Sequence, residues 1–212
     1  MTLTEQLKEL ADNSVKRHPG EAQVIMKNAI DELKNSTIIE GAFKTGDTIP
    51  KIELPNATGS VKNINDILSE GKKVIIAFYR GGWCPYCNIE LRALQQVLPD
   101  IEAKGAKLIA ISPETPDNSL STSEKNGLDF EVLSDENNEI AKSMNLVFQL
   151  PQYLQDLYKK FGINLDSNQG NIDQELPIAA TYVIDTDGII LYHFLEEDYK
   201  LRADPKDILA VL

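Results

Sequence analysis

The 212-residue chain holds only two cysteines, two histidines and one tryptophan. Two thiols cannot build a stapling framework of several disulfides, and His18 and His193 sit too far from Cys84 and Cys87 in sequence to complete a zinc ligand set at the usual spacing, so neither metal nor cofactor is expected. Basic side chains are also scarce: 21 Lys plus Arg stand against 33 Asp plus Glu, a formal net charge of -12. A surface of that sign repels phosphate backbones and anionic headgroups, which counts against nucleic acid and membrane as partners. Long apolar runs are missing as well. No stretch reaches the roughly 18 apolar residues of a membrane span, and the first 30 residues show no apolar block behind a basic start, so a soluble, cytoplasmic chain is expected. Internal repeats and low-complexity tracts are absent, and 42% hydrophobic residues suffice for one substantial core.

Both cysteines fall in one stretch, residues 74–98, which reads VIIAFYRGGWCPYCNIELRALQQVL. Residues 74–79 are continuously apolar and rich in β-formers, as a strand buried on both faces requires. Arg80, Gly81 and Gly82 end that run. Leu91, Leu94, Leu98 and Ile101 then recur at helical spacing. The pair Cys84-Pro85-Tyr86-Cys87 therefore sits where a strand gives way to a helix. The free N–H groups and the positive dipole end at a helix start favour thiolate over thiol, and thiolate is the nucleophile. Cys84 and Cys87 are accordingly the candidate catalytic residues, able to bridge as a redox-active disulfide. Arg80, Trp83 and Glu90 are candidates for supporting roles, set against plainer readings as a strand-end charge, packing and a solvated helix charge. Arg92 and Arg202 could assist only if the fold brings them in.

The rest of the chain supplies the scaffold. Residues 1–40 read as two short helices forming an N-terminal extension: Thr2 and Glu5 fit a capping box, and Met26, Ile30 and Leu33 line a second face after a break at residues 17–20. Its first reading is an extra layer on the domain, its second a dimerisation arm and hence a homodimer. His18 in the break reads as solvated and His193 as a satisfied sheet residue. Residues 41–212 read as one α/β domain: a small hairpin or edge ribbon over residues 52–61, a second buried strand at 108–111, then helices and a short strand. Pro99 is expected to kink or restart the long helix. Residues 163–175 read as a surface loop, and Asp185-Thr186-Asp187-Gly188 as a hairpin turn. A βαβ unit, a further helix, a β-hairpin and a closing helix make a thioredoxin-like arrangement, a central mixed sheet flanked by helices.

The phrase FYRGGWCPYCNIELRAL, preceded by GDTIPKIELPNATG and followed by LPIAATYVIDTDGIILYHF, resembles the peroxiredoxin-like redoxins of the alkyl hydroperoxide reductase and thiol-specific antioxidant group. The resemblance covers residues 44–212. It implies a thioredoxin fold and thiol-based reduction of hydroperoxides, with electrons returned by a thioredoxin- or glutaredoxin-type donor. It also places Cys87 on the peroxidatic position and Glu90 on the acidic one. Cys84 stands where that pattern has a hydroxyl residue, Arg80 where it has proline, and Ala179 where it has an arginine.

These observations lead to a thiol-dependent peroxidase cycling between a Cys84/Cys87 dithiol and disulfide. The alternatives are a thioredoxin- or glutaredoxin-like protein disulfide oxidoreductase, and a redox-switched interaction module that is not an enzyme. Helix geometry favours Cys84 as the attacker on disulfides; for peroxide the first sulfur stays open.

Overall fold

A computed structural model describes residues 1–18 and 20–212. Pro19, part of the expected break, lies outside the described residues.

The chain opens with two helices, α1 (Leu3–Arg17) and α2 (Gly20–Asn35), and a short turn of helix, α3 (Ile38–Gly41). Thr2 caps α1, its hydroxyl accepting from the Glu5 N–H while the Glu5 carboxylate accepts from the Thr2 N–H. Two strands follow, β1 (Glu53–Pro55) and β2 (Val61–Asn63), paired antiparallel as a small ribbon. Asn63 then caps α4 (Ile64–Ser69).

The core sheet begins with β3 (Val74–Phe78), every residue of which is buried. The long α5 (Pro85–Ala103) returns the chain to β4 (Lys107–Ser112), parallel to β3. After α6 (Pro116–Asn126) comes β5 (Glu131–Ser134), parallel to β4. Then come α7 (Glu139–Ser143), β6 (Val147–Gln149), α8 (Gln152–Lys160), α9 (Leu165–Gln169) and β7 (Glu175–Pro177), which pairs with β6. The chain finishes with β8 (Ala180–Ile184), β9 (Ile190–Leu195) and α10 (Pro205–Ala210). The sheet order is β5-β4-β3-β8-β9, with β8 antiparallel to both β3 and β9.

The expected mixed sheet is therefore present, with β3 and β4 as parallel neighbours and the C-terminal hairpin beside them. Its central strands read as unbroken apolar runs because both faces are covered. Ile75 and Ala77 face the layer that holds α5, whereas Val74, Ile76 and Phe78 face the layer with Ile64 and Met144. Burying each such aliphatic side chain contributes about 1.5–3 kcal/mol.

Two local expectations are corrected. The helix does not restart at Pro99, since α5 continues through it to Ala103. Residues 163–175 are more than a surface loop. Asn164 caps α9 through the Ser167 N–H, and Leu165 is buried against Leu154, Leu157 and Leu176. Ile163, Leu165 and Ile172, spaced two and seven residues apart in a polar stretch, give no sustained helical period.

Candidate active site

Strand β3 delivers the chain to the site, and the loop after it is held from several sides. Gly81 has φ of 145°, a conformation that side-chain-bearing residues rarely adopt. A methyl group on it would run into Trp83 and Glu114, and one on Gly82 into the Thr122 hydroxyl. Glu114, buried at the end of β4, accepts hydrogen bonds from the Gly82 N–H at 2.9 Å and from Thr122 Oγ1 at 3.3 Å. Burial raises its carboxyl to about 7, more than those two donors lower it. From the helix side the Asn88 amide donates to the Gly82 carbonyl at 2.8 Å. Cys84 thus arrives fixed as the N-cap of α5, with Pro85 just inside the helix and Cys87 in its first turn.

Both cysteines are free thiols, and both are buried, at 1% and 0% exposure. Each faces its own guanidinium. Arg80, itself buried, points Nη1 at Cys84 Sγ, 3.8 Å away, and donates from Nη2 to the Tyr158 hydroxyl. Its plane is cradled by aromatic rings, 4.3 Å from the centre of Tyr199 and 4.9 Å from that of Trp83. On the other sulfur, Arg202 Nη2 donates to Cys87 Sγ at 3.2 Å and Nε donates to Glu90 Oε2 at 2.5 Å. Backbone carbonyls of Tyr199 and Leu201 take the remaining protons of Nη1.

The consequence is an uneven thiol pair. Burial pushes the Cys84 thiol up, but the Cys87 S–H that donates to it, and then Arg80 and Arg202, outweigh burial and hold it well below the usual thiol range. Cys87 moves the opposite way, raised by burial and by the negative sulfur beside it. One proton is shared between two sulfurs, and the charge rests on Cys84. Glu90 is lifted to about 7 by burial despite Arg202.

The two sulfurs also differ in what lies in front of them. A chamber of about 470 Å³ lies in front of Cys84, with Arg80, Trp83, Tyr158 and Tyr199 on its wall; Cys87 is not part of that wall.

All five residues singled out in the sequence meet here, Arg80, Trp83, Cys84, Cys87 and Glu90, and neither Arg80 nor Glu90 is a solvated charge. Arg92 takes no part, donating instead to Asn126 Oδ1 at 2.7 Å. Ala179, where the resemblance expects an arginine, is a buried apolar residue; Arg202, from the segment after β9, is the arginine that donates to Cys87. His18 is half-buried, its ring centre 4.6 Å from that of Phe161, because α1 packs on α5 and α2 on α8, which brings the end of α1 beside the end of α8. His193 accepts from the Thr45 N–H at 3.0 Å, as a satisfied sheet residue should. Tyr158, Tyr199 and Glu114 escape the sequence reading. Tyr158 sits on an amphipathic helix where it passes for packing, and Tyr199 and Glu114 lie in turns without periodicity.

The sequence model of the AhpC/TSA family matches residues 45–193, well over half of the chain. The chain belongs to the AhpC/TSA family. This family member is 28% identical to Peroxiredoxin Bcp of Escherichia coli K12 over 104 residues, which are 49% of this chain and 65% of that protein. It thus spans just under two thirds of the length of that relative. A putative peroxiredoxin of Mycobacterium tuberculosis is 25% identical over 171 residues, 80% of this chain and 96% of that protein. Among solved structures, Peroxidoxin BcpB from Mycobacterium tuberculosis superposes with a TM-score of 0.62 at 22% identity, covering 80% of this chain and 96% of that one. A mutant of Peroxiredoxin 6 from Arenicola marina gives 0.63 at 19% identity, covering 80% and 71%. At those identities the superpositions establish the fold of this AhpC/TSA member, and its chemistry has to be argued from the site.

Proposed function

We propose that the protein is a thiol-dependent peroxidase in which Cys84 attacks the peroxide and Cys87 resolves the product. The observation that carries this reading is the asymmetry of the pair. Cys84 lines the chamber and its surroundings favour the thiolate, while Cys87 lies off the chamber wall and its surroundings favour the thiol. The names of the AhpC/TSA relatives, Peroxiredoxin Bcp and the putative peroxiredoxin, point the same way.

The chemistry balances with few groups. The Cys84 thiolate attacks one peroxide oxygen, the O–O bond breaks, and the departing alkoxide or hydroxide takes a proton. Arg80, beside Cys84, offers a fixed positive donor where charge moves onto that oxygen, a stabilisation that needs no reorganisation in a dry site. Cys84 is then a sulfenic acid. The Cys87 sulfur attacks it, water leaves, and the disulfide forms. Arg202 steadies Cys87 as it gives up its proton. An external thiol reductant returns the disulfide to the dithiol. The burial of both sulfurs counts against a protein disulfide as the substrate. None of the helices among the described residues is long and apolar enough to cross a membrane.

The test uses single-cysteine proteins and a sulfenic-acid probe. Cys87→Ser should be labelled once per chain at residue 84 after hydrogen peroxide, and Cys84→Ser should stay unlabelled. Labelling of the Cys84→Ser protein at the parent rate of oxidation would assign the attack to Cys87 instead.

A further inference from the structure

We propose that the hairpin of α1 and α2 is the specificity element of this site: it walls the Cys84 chamber so that a low-molecular-weight thiol reaches the disulfide and a protein thiol does not. The proposal rests on the peroxidase reading for its disulfide, and on the geometry of the hairpin for its selectivity. Residues 1–44 precede the stretch that matches the family, so this wall is additional to the shared domain.

Three hairpin side chains, Ser14, His18 and Met26, complete the chamber opposite Trp83, Tyr158 and Tyr199. They are held in place by packing. Leu3 and Leu7 are buried in the same apolar cluster as Cys84 and Leu91, and Ile30 and Leu33 are buried on α2. The Gln23 amide ties α2 to α1 by donating to the Ser14 carbonyl at 3.0 Å. The Tyr199 hydroxyl donates to Met26 Sδ at 3.5 Å. With this wall closed, Cys84 is 1% exposed.

A volume of about 470 Å³ suits a molecule of some tens of atoms. A folded donor carries its thiol on a surface, and no such surface enters a chamber of that size. The charge of the wall agrees with a small anionic attacker. In a chain with 33 acidic residues, none of the described residues lining the chamber is acidic, while Arg80 contributes a fixed positive charge. An entering thiolate is therefore unopposed.

The exchange runs as two displacements. The thiolate of the first small thiol attacks Cys84 Sγ, the Cys84–Cys87 bond breaks, and Cys87 departs as a thiolate beside Arg202. The second small thiol attacks the outer sulfur of the mixed disulfide and displaces Cys84. The products are the protein dithiol and the disulfide of the small thiol; the two thiol protons end on the protein pair or in solvent.

The test follows reduction of the oxidised full-length protein by acid quenching and alkylation of the freed Cys84 and Cys87, read by mass, with 3-mercaptopropionate in one arm and reduced thioredoxin in the other. If peroxide fails to make the disulfide, a chemical oxidant such as diamide makes it, so failure of the peroxidase reading is recorded separately. The small thiol should reduce the parent at least about tenfold faster per thiol than thioredoxin. Met26→Trp, which fills the chamber, should slow 3-mercaptopropionate about tenfold. Ile30→Ala with Leu33→Ala, which loosens the wall, should raise the thioredoxin-to-small-thiol rate ratio about tenfold. If that double variant does not fold, as circular dichroism would reveal, the parent and Met26→Trp still decide. Thioredoxin matching the small thiol on the parent, or a rate with 3-mercaptopropionate indifferent to Met26→Trp, would overturn the proposal.

Discussion

Cys84 and Cys87 are one helical turn apart, carry the same functional group and each face an arginine, yet their surroundings give them opposite character. Arg80 lies in a cradle of rings at the edge of a chamber, with one donor on sulfur. Arg202 is buried where a carboxylate, two carbonyls and a sulfur take four of its five donors. The contrast separates two uses of a guanidinium beside a thiol. An arginine with nearly all its donors taken fixes a structure, and one such as Arg80, with its Nε unpartnered among the described residues, keeps capacity for a reacting group.

Replacing Arg202 should give the larger effect. Arg202→Met leaves Glu90 buried without its partner, and breaking such a pair costs about 3–5 kcal/mol. Denaturant unfolding should show that loss, with part of it recovered in the Arg202→Met/Glu90→Gln double variant. An equal loss in single and double variants would mean that the pair is not the unit.

Arg80→Met should leave the fold largely intact and slow peroxide oxidation of Cys84 about a hundredfold, the scale of removing one preorganised donor. Stopped-flow fluorescence reads this rate; a change confined to stability would move Arg80 into the structural class with Arg202.

A smaller shift is expected in titration. Alkylation of Cys84 in the Cys87→Ser protein should follow a midpoint below the ~8.5 of a free thiol, and adding Arg80→Met should move it up. In Cys87→Ala, which removes the donor altogether, the midpoint should lie above that of the parent.

The smallest effect concerns Glu114. Its folded value, about 7, lies above the ordinary 4.5, so the stability it contributes is complete below 4.5 and is lost as pH rises through about 7. Glu114→Gln keeps an acceptor for the Gly82 N–H without a charge, so its melting temperature should fall less over that interval than the parent's. Parallel curves would show that the carboxyl titrates normally.

This division of labour was only half legible in the sequence. Cys84, Cys87, Arg80 and Trp83 were readable because they are neighbours along the chain, between an apolar run and a periodic helix. The sheet was readable for the same reason, since residues 74–79 and 108–111 announce burial on two faces. Arg202 is 115 positions from Cys87, and Tyr158 is 78 from Arg80. Nothing in a local pattern says that a charge in the polar stretch after β9 will turn inward. That information resides in the topology, which lays the segment after β9 against the start of α5.

Pro99 adds a mechanical consequence. With no N–H at residue 99, the carbonyl of Gln95 lacks its helical partner, though the helix continues to Ala103. The Gln95 side chain is occupied elsewhere, exchanging hydrogen bonds of 2.8 Å with Asp129. The ladder therefore has a gap between the turns that carry Cys84 and Cys87 and the turn that ends near Lys104. Fraying that starts at the far end meets this gap before it reaches the thiols. Proline here acts as a firebreak, and amide exchange near residue 102 should proceed without opening the amides near residue 90.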